Sequence, residues 1–343
     1  MLRFLMLACL CLIATAIPAS DIASDTVGLQ SGAVRRETFW SPSLGARKRV
    51  QVYLPPSYGR VGAESTRYPV AIYLHGMWGD ETDWVVKGRL AVTMDSLIGV
   101  GMPEMLVVMP DGDDGWWTSW AQPADMELCR RTPHRDEPAE RFCVPNPRYD
   151  VYVARDLVAY IDATYRTLAR PESRAIGGVS MGGYGAIALA ARFPDTFSAA
   201  ASHAGILTPG LLADSSTIAT TGRVTWRPSR TSNELRRATG ARWEGMYPML
   251  GADPTTWRSH DPATLILALQ ATGGRLPSMF VDVARGDEVL KQNRVFRTTL
   301  AERGIALTYV ESDGAHTWEN YRASLSRALR FLDDHIARVP PAR

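Results

Sequence analysis

The sequence is poor in the features that mark several large protein classes. It has four cysteines and six histidines in 343 residues, with no Cys-x-x-Cys, no His-Glu-x-x-His and no Walker-type glycine loop. Zinc-ribbon, metalloprotease and P-loop chemistry are therefore excluded, and no metal or cofactor is implied. Charge of one sign is lacking too: 38 Lys and Arg against 36 Asp and Glu leave a formal +2. That balance argues against a nucleic-acid partner, which needs a basic face. No apolar run reaches the roughly 20 residues of a membrane-spanning helix, so no integral span is expected. There is no internal repeat, no low-complexity tract and nothing that sets an oligomeric state.

What is present begins with "MLRFLMLACLCLIATAIPAS". Arg3 precedes the apolar run Phe4–Ile13, and small residues follow, which is the layout of a secretory signal peptide over residues 1–19. Its removal takes away one positive charge, Arg3, and leaves +1. Residues 20–40 are expected to be an N-terminal lead, and 41–338 one domain. Cys129 and Cys143 remain in the exported chain. In an oxidising compartment two such cysteines close together in one polar segment read as a disulfide.

Unbroken apolar runs then recur: "RVQVYLPPSY", "YPVAIYLHG", "EMLVVMPDG", "SRAIGGVS", "FSAAASHAG", "SMFVDVARGD" and "IALTYVESDG". Such runs suit strands buried on both faces of a mainly parallel sheet. Helical patterns lie between them, at "YDVYVARDLVAYIDATYRTL", "LKQNRVFRTTLAERG" and "TWENYRASLSRALRFLDDHIARV". The alternation predicts one doubly wound α/β domain with helices on both faces of the sheet. Two insertions, near 113–148 and 206–262, break it. Both follow strand ends, where open parallel sheets bind ligands, so both are candidate cleft walls.

Gly178-Val179-Ser180-Met181-Gly182 is the chain's single G-x-S-x-G, placed between a strand and an alanine-rich helix. That is the context of a nucleophile elbow, and both glycines are required because side chains there would clash. Ser180 is the expected nucleophile. A serine needs a base and an orienting acid, and in this fold class they follow it as acid, then histidine. Of the later histidines, His203 comes too early, His260 sits at a turn and His335 lies in the last helix. His316, in "SDGAHTW" between the last strand and the last helix, can swing over the serine. Asp287, just past a strand end, is the expected acid, with Glu288 in reserve. Asp282 lies inside an apolar strand, where an unpaired carboxylate is costly. The oxyanion would be held by the backbone amides of Met181 and of Met77, the latter freed by an unusual backbone at Gly76. His75, Trp318, Trp116 and Trp117 are candidate substrate contacts. For the tandem tryptophans, stacking on a sugar or aryl group and packing under the loop remain equal alternatives. "DGDDG" misses the calcium-loop spacing and reads as a turn.

These motifs together resemble the putative-esterase family, which includes esterase D (S-formylglutathione hydrolase), feruloyl and acetyl-xylan esterases and the mycolyltransferases. The resemblance rests on "YLHGMWGDETDW", "VVMPDGDDGWW", "GGVSMGGYGA", "LGADPTTW", "DVARGDEVL" and "GAHTWENY" and spans roughly 45–336. It implies an α/β-hydrolase fold, Ser180, Asp287 and His316 as triad, and a small-molecule or carbohydrate ester as substrate. An exported serine carboxylesterase is the expectation. Acyl transfer to a sugar hydroxyl with the same triad is the first alternative, and a catalytically inactive binding module the second.

Overall fold

The computed structural model describes residues 31–131, 137–214, 225–240 and 243–338. The expected signal peptide at 1–19 lies outside them. Eight strands form one sheet: β1 (Ala33–Ser41), β2 (Ala46–Leu54), β3 (Val70–Leu74), β4 (Leu106–Pro110), β5 (Arg174–Val179), β6 (Ala199–His203), β9 (Ser278–Ala284) and β10 (Thr308–Ser312). Their order is β1-β2-β4-β3-β5-β6-β9-β10. The β1–β2 and β2–β4 pairs are antiparallel, and every other pair is parallel. A separate antiparallel hairpin, β7 (Leu211–Asp214) with β8 (Thr225–Pro228), lies in the 206–262 insertion.

The central strands form where the apolar runs predict them. Every residue of β3, β4, β5 and β6 is buried, as two-sided coverage by helices demands. The helix Met181–Arg192 packs on β5 and β6, and the closing helix Trp318–Asp334 covers β6 and β9. Alanine and glycine fill the Met181–Arg192 helix because it is buried along nearly its whole length, from Met181 to Ala191.

The lead is shorter than expected. Residues 33–41 pair along the whole of β2 as the sheet's edge. Their strand nature is masked in the sequence because one face stays in water, and Arg35, Arg36 and Glu37 interrupt the apolar pattern. The helix expected over 149–168 is instead compound. A π-helical stretch, Tyr152–Leu157, joins the turn Tyr149–Val151 to Val158–Thr164. The chain then leaves the helix so that Thr167 can bridge Tyr68 beside the sheet.

Cys129 and Cys143 are joined by a disulfide, with Cα atoms 5.8 Å apart. It ties the short helix Met126–Arg131 to the end of Ala139–Phe142. No helix among the described residues is long and apolar enough to cross a membrane.

Candidate active site

The elbow is built from backbone that only its sequence tolerates. Ser180 takes φ 55° and ψ −113°, a conformation rare outside glycine. Strain of this kind costs roughly 1–3 kcal/mol and persists where the surroundings over-determine it. Here they do. A Cβ on Gly178 would lie 2.4 Å from the Gly182 carbonyl oxygen, and one on Gly182 would lie 2.4 Å from that of Leu74. The strand and helix therefore meet at backbone contact, and the turn between them is forced. Ser180 donates its own N–H to the His203 carbonyl at 2.8 Å. The side chain remains partly open to solvent.

Two further loops converge on it. The one after β9 carries Asp287 and the one after β10 carries His316. They are zipped together: Arg285 N–H donates to the Ser312 carbonyl at 2.7 Å and Gly286 N–H to the Gly314 carbonyl at 2.9 Å. Gly286 is obligatory, because a Cβ there would sit 2.5 Å from the Gly314 oxygen. His316 Nδ1 lies 2.8 Å from Asp287 Oδ2, and Nε2 lies 3.0 Å from Ser180 Oγ. The consistent proton assignment puts the hydrogen on Nδ1, donating to the carboxylate, and leaves Nε2 to accept from the serine hydroxyl. The other Asp287 oxygen, Oδ1, accepts from Val289 N–H at 2.9 Å. The Asp287 carboxylate is fully buried, while the His316 ring is about 29% exposed. Tyr321 packs edge-on against that ring at 5.6 Å. Glu288, the reserve acid, is exposed and stands outside this row.

The family model described as "Putative esterase" matches residues 41–332. The chain belongs to that family. It is 26% identical over 320 residues to an esterase of Mycobacterium tuberculosis, aligning 89% of this chain with 59% of that protein. It is 29% identical over 184 residues to the endo-1,4-beta-xylanase/feruloyl esterase of Xylanibacter ruminicola, 53% of this chain against 23% of that one. The chain thus spans less than two thirds of either relative. Its fold matches the solved S-formylglutathione hydrolase of Agrobacterium tumefaciens with a TM-score of 0.63 at 20% identity, covering 90% of this chain and 97% of that one.

In this family member the loop after β3 is held by buried side chains. His75 is only about 1% exposed. Its Nδ1 lies 2.8 Å from the Gly76 carbonyl, and Gly112 N–H reaches Nε2 at 3.0 Å. Nε2 is therefore the acceptor and Nδ1–H the donor. Gly79 N–H adds a second bond to the same Gly76 oxygen at 3.1 Å. In a trans peptide the C=O and the following N–H point opposite ways, so fixing the Gly76 carbonyl also fixes the Met77 N–H. His75 was expected to touch substrate. Its burial corrects that: it shapes the loop from behind. The backbone exception expected at Gly76 falls at Trp78, with φ 60°. Gly76 itself lies beside the serine, where an added Cβ would be 3.5 Å from that of Ser180.

Trp116 and Trp117 also depart from a substrate role. Both are fully buried. Trp116 packs edge-on against Tyr184 at 5.7 Å, and Trp117 donates its indole N–H to the His75 carbonyl at 3.2 Å. Their left-handed backbone, φ 57° and 53°, turns both rings inward under the insertion. Trp318 is half-buried, edge-on to Trp84 at 5.2 Å and to Tyr321 at 5.7 Å, two residues from His316. Sequence reasoning missed Trp78. It follows Met77 directly, is 77% exposed, and is held by its N–H bonding Asp114 Oδ1 at 2.6 Å. A tryptophan in the loop after β3 was the available signal.

Beneath the loop lies a buried charge cluster. Lys48 Nζ sits 2.7 Å from Asp113 Oδ1 and 3.6 Å from Asp111 Oδ2, with Glu137 close by. Burial alone would lower the Lys48 pKa, but Asp111 and Asp113 outweigh it and raise it. Burial pushes the Asp113 carboxyl up despite Lys48. Two carboxylates of "DGDDG", Asp111 and Asp113, thus face a lysine ammonium, and the turn presents Gly112 N–H to His75.

Asp282, whose burial would be costly unpaired, has a partner: His203 Nδ1 at 3.0 Å. His260 bonds the Thr256 and Ser119 carbonyls at 2.8 and 2.9 Å, and His335 caps the closing helix. None of these side chains joins the Ser180 row.

Proposed function

We propose that the protein is an exported serine carboxylesterase acting on a carbohydrate-linked, aryl or small-acyl ester. In this reading His316 Nε2 takes the Ser180 proton as Oγ bonds to the ester carbonyl carbon. Asp287 holds the imidazole tautomer and stabilises the imidazolium. The developing oxyanion is received by the Met77 and Met181 amides. Met181 is the first residue of its helix, where an N–H has no intrahelical acceptor and the dipole favours negative charge. The imidazolium then protonates the departing alkoxide as the C–O bond breaks, leaving an acyl-Ser180. A water deprotonated by His316 attacks that acyl group, releases the acid and returns the proton to Ser180.

The observation that carries this reading is the continuous hydrogen-bonded row Ser180–His316–Asp287 on a strained, solvent-reachable turn. Trp318, which meets Tyr321 beside His316, and the exposed Trp78, next in sequence to Met77, suit a flat acyl or sugar group. The Cys129–Cys143 disulfide suits an oxidising compartment. The test is hydrolysis of a panel of p-nitrophenyl, feruloyl and acetyl-sugar esters by the protein and its Ser180→Ala variant. A triad nucleophile's loss should lower kcat by several orders of magnitude, about a million-fold in the serine-protease precedent. Equal rates in the two proteins would end the proposal. Intact mass after treatment with a fluorophosphonate should show one adduct, absent from Ser180→Ala.

A further inference from the structure

The 206–262 insertion does more than cover the domain. The β7–β8 hairpin and the helix Ser232–Thr239 stand over the helices Pro262–Ala271 and Leu290–Ala301, and between them lies a cavity of about 550 Å³. Small-molecule sites typically fall between about 300 and 1,000 Å³. None of Ser180, Asp287, His316 or residues 75–79 lines this one. It is bounded by the stretch 208–211 after β6 and by residues of the helices Pro262–Ala271 and Leu290–Ala301.

Its chemistry is two-sided. Leu235, Leu250, Trp257, Leu267 and Val295 make apolar walls. Of its ionisable lining groups, three are arginines, Arg227, Arg230 and Arg258, and one is an acid, Asp261. Asp261 is already engaged: its Oδ1 accepts from Thr264 N–H at 2.8 Å, and burial pushes its carboxyl up. Arg227 is bonded to Glu234 at 2.6 Å. Arg230 and Arg258 are exposed and form no ion pair among the described residues. Lys291 Nζ adds a further cation 5.0 Å from the Trp226 ring. An apolar chamber lined also by exposed guanidinium groups suits an apolar body that carries an anion.

We propose that this cavity is a second binding site, separate from the Ser180 centre, for a small amphipathic carboxylate with a flat or branched apolar body. The proposal does not depend on the esterase reading, because no residue of the Ser180 row takes part.

The test is an equilibrium titration of the full chain with 2-naphthoate, followed by probe anisotropy, with 2-naphthylmethylammonium as the matched cation. Saturable naphthoate binding with an unchanged Kd in Ser180→Ala, and no competition by the ammonium, is expected. Leu267→Trp, or independently Thr299→Phe, should fill the chamber and abolish binding while circular dichroism stays native. Arg230→Gln with Arg258→Gln should weaken it about tenfold, a loss of about 1.4 kcal/mol, with ester hydrolysis unchanged. The proposal fails if naphthoate does not bind, if both folded filling variants bind it as the wild type does, if the ammonium binds equally, or if Ser180→Ala removes binding.

Discussion

Replacing His75 with phenylalanine tests whether the Gly76–Met77 peptide is aimed by a buried side chain. Phenylalanine keeps an aromatic ring against Trp117, which His75 meets edge-on at 4.9 Å, and removes both ring nitrogens at the cost of a slightly larger ring. Two hydrogen bonds disappear, from Nδ1–H to the Gly76 carbonyl (2.8 Å) and from Gly112 N–H to Nε2 (3.0 Å). The Gly76 oxygen keeps its bond from Gly79, but the Gly112 N–H is orphaned. A buried unsatisfied donor costs about 1–3 kcal/mol and a lost bond about 1 kcal/mol, so the variant should be about 2–4 kcal/mol less stable. At about 2 °C per kcal/mol for a domain of this size, Tm should drop by about 4–8 °C. Deleting an oxyanion donor outright costs about a hundred- to a thousand-fold in kcat. Met77 N–H would be loosened and not deleted, so kcat should fall by about ten- to a hundred-fold with KM nearly unchanged. The assay is steady-state hydrolysis of p-nitrophenyl acetate well below the variant's Tm, beside a melting curve. A folded variant with wild-type kcat would refute the reasoning. So would one in which KM alone rises, since that would return His75 to substrate contact.

Trp78→Ala should leave Tm unchanged, because the side chain is exposed, yet raise KM for aryl or sugar esters by about tenfold, the worth of about 1.4 kcal/mol of stacking; an equal KM for acetyl and feruloyl esters in both proteins would remove Trp78 from the site. Gly182→Ala places a Cβ 2.4 and 2.6 Å from the Leu74 and His75 carbonyl oxygens, neither of which can rotate away, so purified protein should melt lower and label poorly with fluorophosphonate. Hydrogen bonds from Arg227 and Arg294 hold Glu234 and Glu311 at about 2. A depressed carboxylate stabilises the fold above its unfolded value and loses that contribution as pH falls through the folded one. The urea midpoint should therefore drop between about pH 4.5 and pH 2, and Glu311→Gln should make that drop shallower.

The parts of this fold that announce themselves are those whose burial is complete. β3 to β6 are buried throughout and mostly apolar, and the elbow's glycines are dictated by contacts within ten residues of each other or with the neighbouring strand. What stays hidden depends on partners far along the chain. Asp282 looks costly until His203, 79 positions earlier, is placed beside it. Trp116 and Trp117 sit in a charged segment, and nothing local says that their left-handed backbone turns both rings inward. β1 is half solvated, so its charged face conceals the pairing with β2. His75 and His316 both follow a strand run near a glycine. Only the three-dimensional arrangement separates the one that faces carbonyl and amide from the one that faces serine and carboxylate.

His316 and Asp287 hang from β10 and β9, and β10 is the last strand of the sheet, paired on one side alone. Such edges open at lower free energy than the strands they flank. Because Gly286 and Gly314 are in backbone contact, the two loops come apart together or not at all. Warming or mild denaturant should therefore silence the protein as a switch, at a midpoint below that of the sheet's centre. The proposed esterase activity would then report the integrity of one edge strand, while circular dichroism still reports a folded molecule.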